Sequence, residues 1–350
     1  MKICMVTRHC CIRVVKQALP LISMGHEVHL ITNKITQYSD QFKTVTAYQD
    51  VDQLYDSIDL HRRCDIFHAH NEPSWFVTVA KEVAPHVPVV LDLHDSFLLR
   101  RPVEEKPDPE RYRVSVDERN NVQLADGIVH CCSAMKKIID DEFKPKAPSV
   151  VIPSALPKRF NRIDFGQWIG GLVYEGRIDI EDELGPKWDF FQYANYKKLA
   201  LKAREIGMDF HIYTPRSNEK VRGEYEDISY LHQPLKLDKL IKQLGSHDWG
   251  LVGNIDYHEE WKHALPNKLF EYMAACVPIV SINASACSNF ILDHGIGIQV
   301  DSLEELASRW KEHRECRSRL IKMRALFAME RYIENLLELY YRVLNRGKNG

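Results

Sequence analysis

The chain has 350 residues, a formal net charge of −2, 45% hydrophobic residues and 27% charged residues. That length and balance predict about two globular domains, each burying its own core, and exclude a disordered chain. Neither half is basic, which argues against nucleic-acid binding, and no apolar run approaches the ~20 residues a membrane span needs.

The chain opens with a short apolar strand over residues 3–6, followed by polar Thr7-Arg8-His9, which is not the pattern of a signal peptide. Helical periodicity runs over 13–24, Gly25 supplies a C-cap, and a strand follows at 27–31. Further strands are expected at 44–47, 65–68, 87–91, 127–130 and 149–152, with helices between most of them. Ser133 is expected to cap a helix that runs to residue 142. Residues 100–113, with Pro102, Pro107 and Pro109 among charges, read as a mobile connector. The second half repeats the alternation, with strands at 172–175, 209–213, 228–231, 249–252, 279–282 and 298–300. Helices are expected at 193–206 and 235–244, a capping box at Ser302 and Glu305, and a long amphipathic run over 325–344. Strands alternating with helices predict parallel, doubly wound sheets. No GxGxxG follows the first strand, which counts against a dinucleotide site there.

Nine cysteines, an odd number, contain no CxxC spacing. The adjacent pairs Cys10-Cys11 and Cys131-Cys132 suit neither a zinc site nor a disulfide framework, so reduced thiols and a cytoplasmic location are expected. Peripheral contact with the inner face of a membrane is left open.

Residues 264–280 are chemically the richest stretch. Pro266 suits the first turn of a helix. Helical spacing puts Lys268, Glu271, Tyr272 and Ala275 on one face, and Leu269, Phe270, Met273 and Cys276 on the other. A helix start with its free amides, positive dipole and a lysine suits an anion such as a diphosphate. Glu271 could accept both hydroxyls of a ribose diol. The plainer reading is a surface helix with a Lys–Glu pair worth a few tenths of a kcal/mol.

The segment Pro266-Asn267-Lys268-Leu269-Phe270-Glu271-Tyr272-Met273-Ala274-Ala275, completed by Pro278-Ile279-Val280, resembles the donor-site signature of family-4 glycosyltransferases of the GT-B fold. In that family the second of two glutamates eight positions apart holds the ribose of a nucleotide sugar. Glu271 matches the second, whereas His263 stands where the first would be. Cys276-Val277 replaces the usual glycine before the proline strand. Val173-Tyr174-Glu175-Gly176-Arg177 is similar to the strand-glycine-arginine whose arginine grips the diphosphate. The family's partner lysine has no counterpart, and Lys268 is the expected substitute. The stretch around His232 and Leu235 corresponds to the neighbourhood of the nucleotide base.

In the first half, Ile12 to Ala18 and Gly25-His26-Glu27-Val28 resemble the family's opening. Arg8-His9-Cys10-Cys11 occupies the loop that often carries a glycine pair. Asp65-Ile66-Phe67-His68-Ala69-His70-Asn71-Glu72-Pro73 resembles an Asp-x-x-His-x-His loop, and Asp92-Leu93-His94-Asp95 a strand-end His-Asp. The resemblance implies two Rossmann-like, doubly wound parallel-sheet α/β domains facing a cleft. They would be an acceptor-side domain over 1–155 and a nucleotide-sugar domain over 156–325, with a helix over 326–350 crossing back. It implies a retaining transfer of a sugar from a nucleotide diphosphate sugar to a hydroxyl on a glycan, lipid-linked glycan or small glycoside. His94 is the expected catalytic residue. Arg177, Lys268, Glu271, Asn267, His263, His232 and Leu235 are expected on the donor side, and His70, Glu72 and Asp95 on the acceptor side. No metal or other cofactor is expected. Two alternatives are a non-catalytic subunit that assists a partner glycosyltransferase and a nucleotide-sugar 2-epimerase on the same fold.

Overall fold

The computed structural model describes residues 1–36, 38–70, 74–94, 96, 98, 117–162, 165–179, 194–214, 219–256 and 259–346. The chain divides into two compact units, one formed by Met1–Pro157 with Met329–Gly350 and the other by Lys158–Ala328.

In the first unit seven strands form one sheet: β1 (Lys2–His9), β2 (Glu27–Lys34), β3 (Val45–Ala47), β4 (Ile66–His70), β5 (Val89–Leu93), β6 (Gly127–His130) and β7 (Ser149–Val151). Their order is β3-β2-β1-β4-β5-β6-β7, and every pairing is parallel. Parallel strands are covered on both faces, so they read as apolar runs. Ile3, Cys4, Met5 and Val6 of β1 have no exposed surface. Among the described residues, the α-helices between these strands are α1 (Ile12–Ser23), α2 (Val51–Leu60), α3 (Phe76–Val83), α4 (Glu118–Leu124) and α5 (Ser133–Phe143).

The second unit has a six-stranded sheet in the order β10-β9-β8-β11-β12-β13. Its strands are β8 (Leu172–Glu175), β9 (Phe210–Tyr213), β10 (Tyr230–His232), β11 (Trp249–Gly253), β12 (Ile279–Ile282) and β13 (Gly297–Gln299), again all parallel. Its helices are α6 (Lys197–Glu205), α7 (Glu219–Glu226), α8 (Leu237–Leu244), α9 (Asn267–Ala274), α10 (Ser285–His294) and α11 (Trp310–Met323). Tyr174, Tyr196, Leu199, Phe210 and Leu251 are among its core residues. The last helix, α12 (Glu330–Arg346), packs within the first unit, where Gly127 of β6 leaves room for Val343 and Leu339.

Each sheet reverses its winding once, between β1 and β4 and between β8 and β11. Open α/β sheets bind ligands at such switch points, beyond the carboxyl ends of the strands. Cys10, Cys11 and His70 stand there in the first unit, and Gly176, Arg177 and Asn254 in the second.

Three local expectations need correction. Cys132, not Ser133, is the N-cap of α5, its sulfur accepting from the Met135 amide at 3.5 Å. The run over 325–344 is not one helix: a 3-10 turn, Arg324–Phe327, ends at extended Ala328 (ψ 143°) before α12 begins. The α9 helix is not amphipathic toward solvent. Every residue from Lys268 to Ala274 is buried, because the helix is covered on both sides. The capping box forms as expected, with Glu305 Oε1 accepting from the Ser302 amide at 3.1 Å, although the helix it starts, Leu303–Ser308, is 3-10. No described helix is long and apolar enough to cross a membrane. The segment at 100–113 lies outside the described residues.

Candidate functional site

In the first unit the carboxyl ends of β4 and β5 and the start of α1 converge on Asp92, which has no exposed surface. Arg13 Nε donates to both its oxygens at 2.9 and 3.1 Å, and Gln17 Nε2 donates to Oδ2 at 2.5 Å. The rest of the guanidinium is also satisfied, by Ser154 Oγ at 3.1 Å and the Ile152 carbonyl at 2.9 Å. His94, at the end of β5, places Nδ1 3.0 Å from Asp92 Oδ1. Burial alone would push the Asp92 carboxyl up; Arg13 and His94 outweigh it and hold it well below the usual carboxylate range.

His68 and His70 lie behind this pair, fully buried and stacked with ring centroids 4.5 Å apart. His68 Nδ1 meets Tyr340 Oη of α12 at 2.6 Å. Neither nitrogen of His70 has a hydrogen-bond partner among the described residues. Burial lowers both imidazoles, His68 to about 4, so both are neutral near pH 7. His68, His70 and Asp92 bring one ligand atom each within 4.8 Å of one another. Asp92 already spends both oxygens on Arg13 and Gln17, and the guanidinium disfavours a second cation, so the trio reads as a buried polar network.

In the second unit α9 sits against the end of β8. Tyr272 Oη accepts from the Glu175 amide at 3.0 Å and donates to the Val173 carbonyl at 3.2 Å. Lys268, in the first turn of α9, is only 8% exposed, with Nζ 4.8 Å from the Tyr174 ring centroid and 5.3 Å from that of Trp261. Two ring faces are a favourable berth for an ammonium group. Gly176 has φ +140°, and a Cβ there would lie 2.9 Å from Tyr174 Oη and 3.3 Å from Lys268 Cε. Only glycine therefore lets the strand end pass so close to this lysine. Tyr174 Oη donates to the Arg177 carbonyl at 2.7 Å. The Arg177 guanidinium is half-exposed and paired with Asp179, Nε to Oδ2 at 2.6 Å.

The fold thus brings Arg177 to one strand-and-helix corner with Lys268 and Glu271, some 90 positions later in the sequence. Asn267 opens α9, with Pro266 as the N-cap instead of a first-turn residue. Glu271 is 3% exposed, and His263 is half-buried in the turn before α9. His232 and Leu235 stand elsewhere, at the end of edge strand β10 and just after it. His232 lies flat against Tyr213 at 4.1 Å, and its Nε2 is 3.0 Å from His211 Nδ1. Glu72 and Asp95 lie outside the described residues.

Sequence reasoning passed over Arg13, Gln17 and Asp92. A signal was present: Arg13, Lys16 and Gln17 share one face of α1 with apolar neighbours, and all three are buried. Tyr174 and Trp261 gave none, since ring stacking on Lys268 depends on tertiary placement.

The family model described as Glycosyltransferase Family 4 matches residues 13–157. The one described as Glucosyltransferase 3-like, C-terminal domain, matches residues 191–335. No curated protein matches the sequence. Among solved structures, a sucrose-phosphate synthase from Thermosynechococcus elongatus is similar over 99% of this chain and 100% of its own, with a TM-score of 0.70 and 12% identity. A glycosyltransferase from Rickettsia africae gives 0.66 at 12% identity over 98% of each chain. HepE of Anabaena, solved in complex with UDP, gives 0.62 at 11% identity over 97% of this chain and 99% of its own. The chain thus has the GT-B fold, its first part matching the Glycosyltransferase Family 4 model and its second the Glucosyltransferase 3-like C-terminal domain model.

Proposed function

We propose that the protein transfers a sugar from a nucleoside diphosphate sugar to a hydroxyl acceptor, with retention at the anomeric carbon. The observation that carries this reading is the corner in the second unit where Lys268 of α9 stands against Gly176-Arg177 at the end of β8. A departing diphosphate gathers negative charge as the sugar gains oxocarbenium character. Fixed cations and helix amides aimed at that charge lower the barrier without reorganising. In this reading Arg177, Lys268 and the amides at the start of α9 meet that charge, and Glu271 takes the ribose diol. With two cations and a helix terminus on the diphosphate, transfer proceeds without a divalent metal. His94 serves the acceptor side, its tautomer set by Asp92. The ligand of the HepE structure makes UDP and its glucose conjugate the first donors to try.

Thermal-shift titration with UDP, GDP, ADP and CMP tests the reading directly. A nucleotide at 100 times its dissociation constant should add ~2.7 kcal/mol of stability. Lys268→Ala should weaken the responding nucleotide by about 1–3 kcal/mol, as for loss of a charged hydrogen bond. Arg177→Ala, at a half-exposed position, serves as the second variant if the buried lysine is needed for folding. Silence across all four nucleotides would sink the donor site. Transfer that survives a chelator supports the metal-free course, and its abolition refutes it.

Two observations favour a second reading. Asp179, nearly buried, already neutralises Arg177, and His263 stands where the family has glutamate. A protein that binds donor and assists a catalytic partner would tolerate both. Nucleotide binding without transfer, restored only beside a second glycosyltransferase, would select it; turnover of donor without any acceptor would point to an isomerase instead.

A further inference from the structure

The amino ends of β8, β9 and β11 in the second unit frame a cavity of about 530 Å³, walled by Leu172, Met208, Leu306, Trp249 and Trp310. That volume suits a small organic ligand. Trp249 is 3% exposed and Trp310, the first residue of α11, 47%, so one tryptophan is sheltered and the other open to solvent. Both rings meet the buried His313, with centroids 5.1 and 5.2 Å away. His313 Nε2 in turn donates to the Asp248 carbonyl at 2.9 Å. The aromatic wall is thereby fixed before anything binds.

Three carboxylates, Asp209, Asp248 and Glu304, line the same cavity, and among the described residues no lysine, arginine or histidine does. Asp248 is nine-tenths buried. Its Oδ2 accepts from the Gly171 amide at 2.7 Å, but Oδ1 has no hydrogen-bond partner among the described residues. A buried carboxylate oxygen without a donor is costly, and a cation close by offsets that cost. Burial raises the Asp248 carboxyl above its ordinary value, against the Gly171 amide and Arg317, which pull it down. Asp209 is exposed and has no ion pair among the described residues. Glu304 shares Lys202 with Glu205, at 2.8 and 3.2 Å. The cavity therefore carries negative charge that the protein answers only in part.

We infer that this cavity is a binding site for a small organic cation with an apolar body, an alkyl- or arylammonium compound. Tryptophan faces attract an ammonium group, more strongly as it is desolvated. The apolar wall takes the body of the ligand, and the carboxylates answer its charge. The same carboxylates repel anions, nucleotides included. The cavity lies at the amino edge of the sheet, whereas Gly176 and Arg177 lie past its carboxyl edge. From Gly171 to Gly176 the chain covers roughly 16 Å at ~3.3 Å per residue. One small ligand does not span that length, so the occupant is a second ligand and not the sugar donor.

Benzylammonium and benzyltrimethylammonium chlorides are the probes, with benzyl alcohol and phenylacetate as neutral and anionic counterparts. Titrations of the intact protein are followed by NMR through the indole N–H resonances of isotope-labelled tryptophan. The Trp310 resonance is identified by its loss in Trp310→Phe. Both cations should shift it saturably and bind at least about tenfold more tightly than benzyl alcohol, as attraction to a ring face allows. Phenylacetate should leave it in place. Asp248→Asn should weaken both cations several-fold. Because Asp248 also holds the Gly171 amide, Asp209→Asn combined with Glu304→Gln, both at exposed positions, decides if that variant fails to fold. Silence at Trp310 overturns the inference. So does benzyl alcohol binding as tightly as the cations, or cation binding untouched once the carboxylates are neutralised. Excess UDP should not compete, and competition would place the probes in the diphosphate corner and overturn the inference. A protein that binds no nucleotide at all would still pass every other arm, so the outcome is separable from that of the proposed activity.

Discussion

Asp92 carries a full charge with no exposed surface, and Arg13, 1% exposed, answers it. Such a pair adds little over a well-packed apolar pair, but breaking it leaves one charge buried and unanswered. Asp92→Asn should therefore lower unfolding free energy by about 3–5 kcal/mol, read by urea denaturation. A loss no larger than that of a surface substitution would mean that Arg13 finds another partner or reaches water. The same substitution releases His94 from its fixed orientation. Lys268 differs in kind. Its ammonium group lies over two aromatic rings, 4.8 Å from the Tyr174 centroid and 5.3 Å from that of Trp261.

At the scale of the element, α9 and the strand after it hold the most informative departures. Cys276 follows the helix with φ +53°, the left-handed region, at a place where the family carries glycine, and it has no exposed surface. A side chain there costs about 1–2 kcal/mol, which glycine would recover at the loss of a buried thiol and some unfolded-chain entropy. Cys276→Gly should leave stability within about 1 kcal/mol, whereas Cys276→Val, β-branched at positive φ, should cost about 1–3 kcal/mol. Equal effects in thermal melts would mean that the conformation is not strained.

Strand positions were legible in the sequence because parallel strands are apolar on both faces; β6, β8 and β12 begin and end where their residues predict. Helix faces were less so. The polar residues of α9 and α1 look outward on a helical wheel, but both helices bury them against strand ends where their partners wait. Arg13 could not be paired with Asp92, nor Lys268 with Tyr174, from spacing alone, since each partner lies some 80 to 95 positions away. The cap at Cys132 was hidden because sulfur is a weak acceptor next to the hydroxyl of Ser133.

Across the whole molecule, acid is the expected weakness, in both units. Burial lowers His68 and His130 to about 4 in the first unit, and in the second His247 to about 4 and His211 to about 3, from 6.5. The unfolded chain takes up protons first. The stability these imidazoles support is complete above about pH 6.5 and falls as pH drops toward their folded values, by about 1.4 kcal/mol per pH unit for each group in that window. Asp92 has the same sign at lower pH: its contribution is present above the ordinary carboxylate value and is lost only in stronger acid, as pH falls toward its depressed folded value. Denaturant titrations at pH 7, 6 and 5 should show a steep loss of stability well before the carboxylates titrate. A flat profile over that range would mean that these histidines take up protons as readily in the folded protein as in the unfolded chain.

The placement of α12 bears on how the chain is made. The first unit needs Leu336, Leu339, Tyr340 and Val343 to complete its core, and Tyr340 meets His68 across 272 positions of sequence. A ribosome releases the amino terminus first, so strands β1 to β7 emerge with the groove over Gly127 uncovered and His68 lacking its phenol. They must wait in that condition while all of Lys158–Ala328 is synthesised. The intervening unit, continuous in sequence, can finish folding before the one that began ahead of it. During that interval the apolar surface meant for α12 is open to chaperones and to neighbouring nascent chains, and the emergence of α12 closes it.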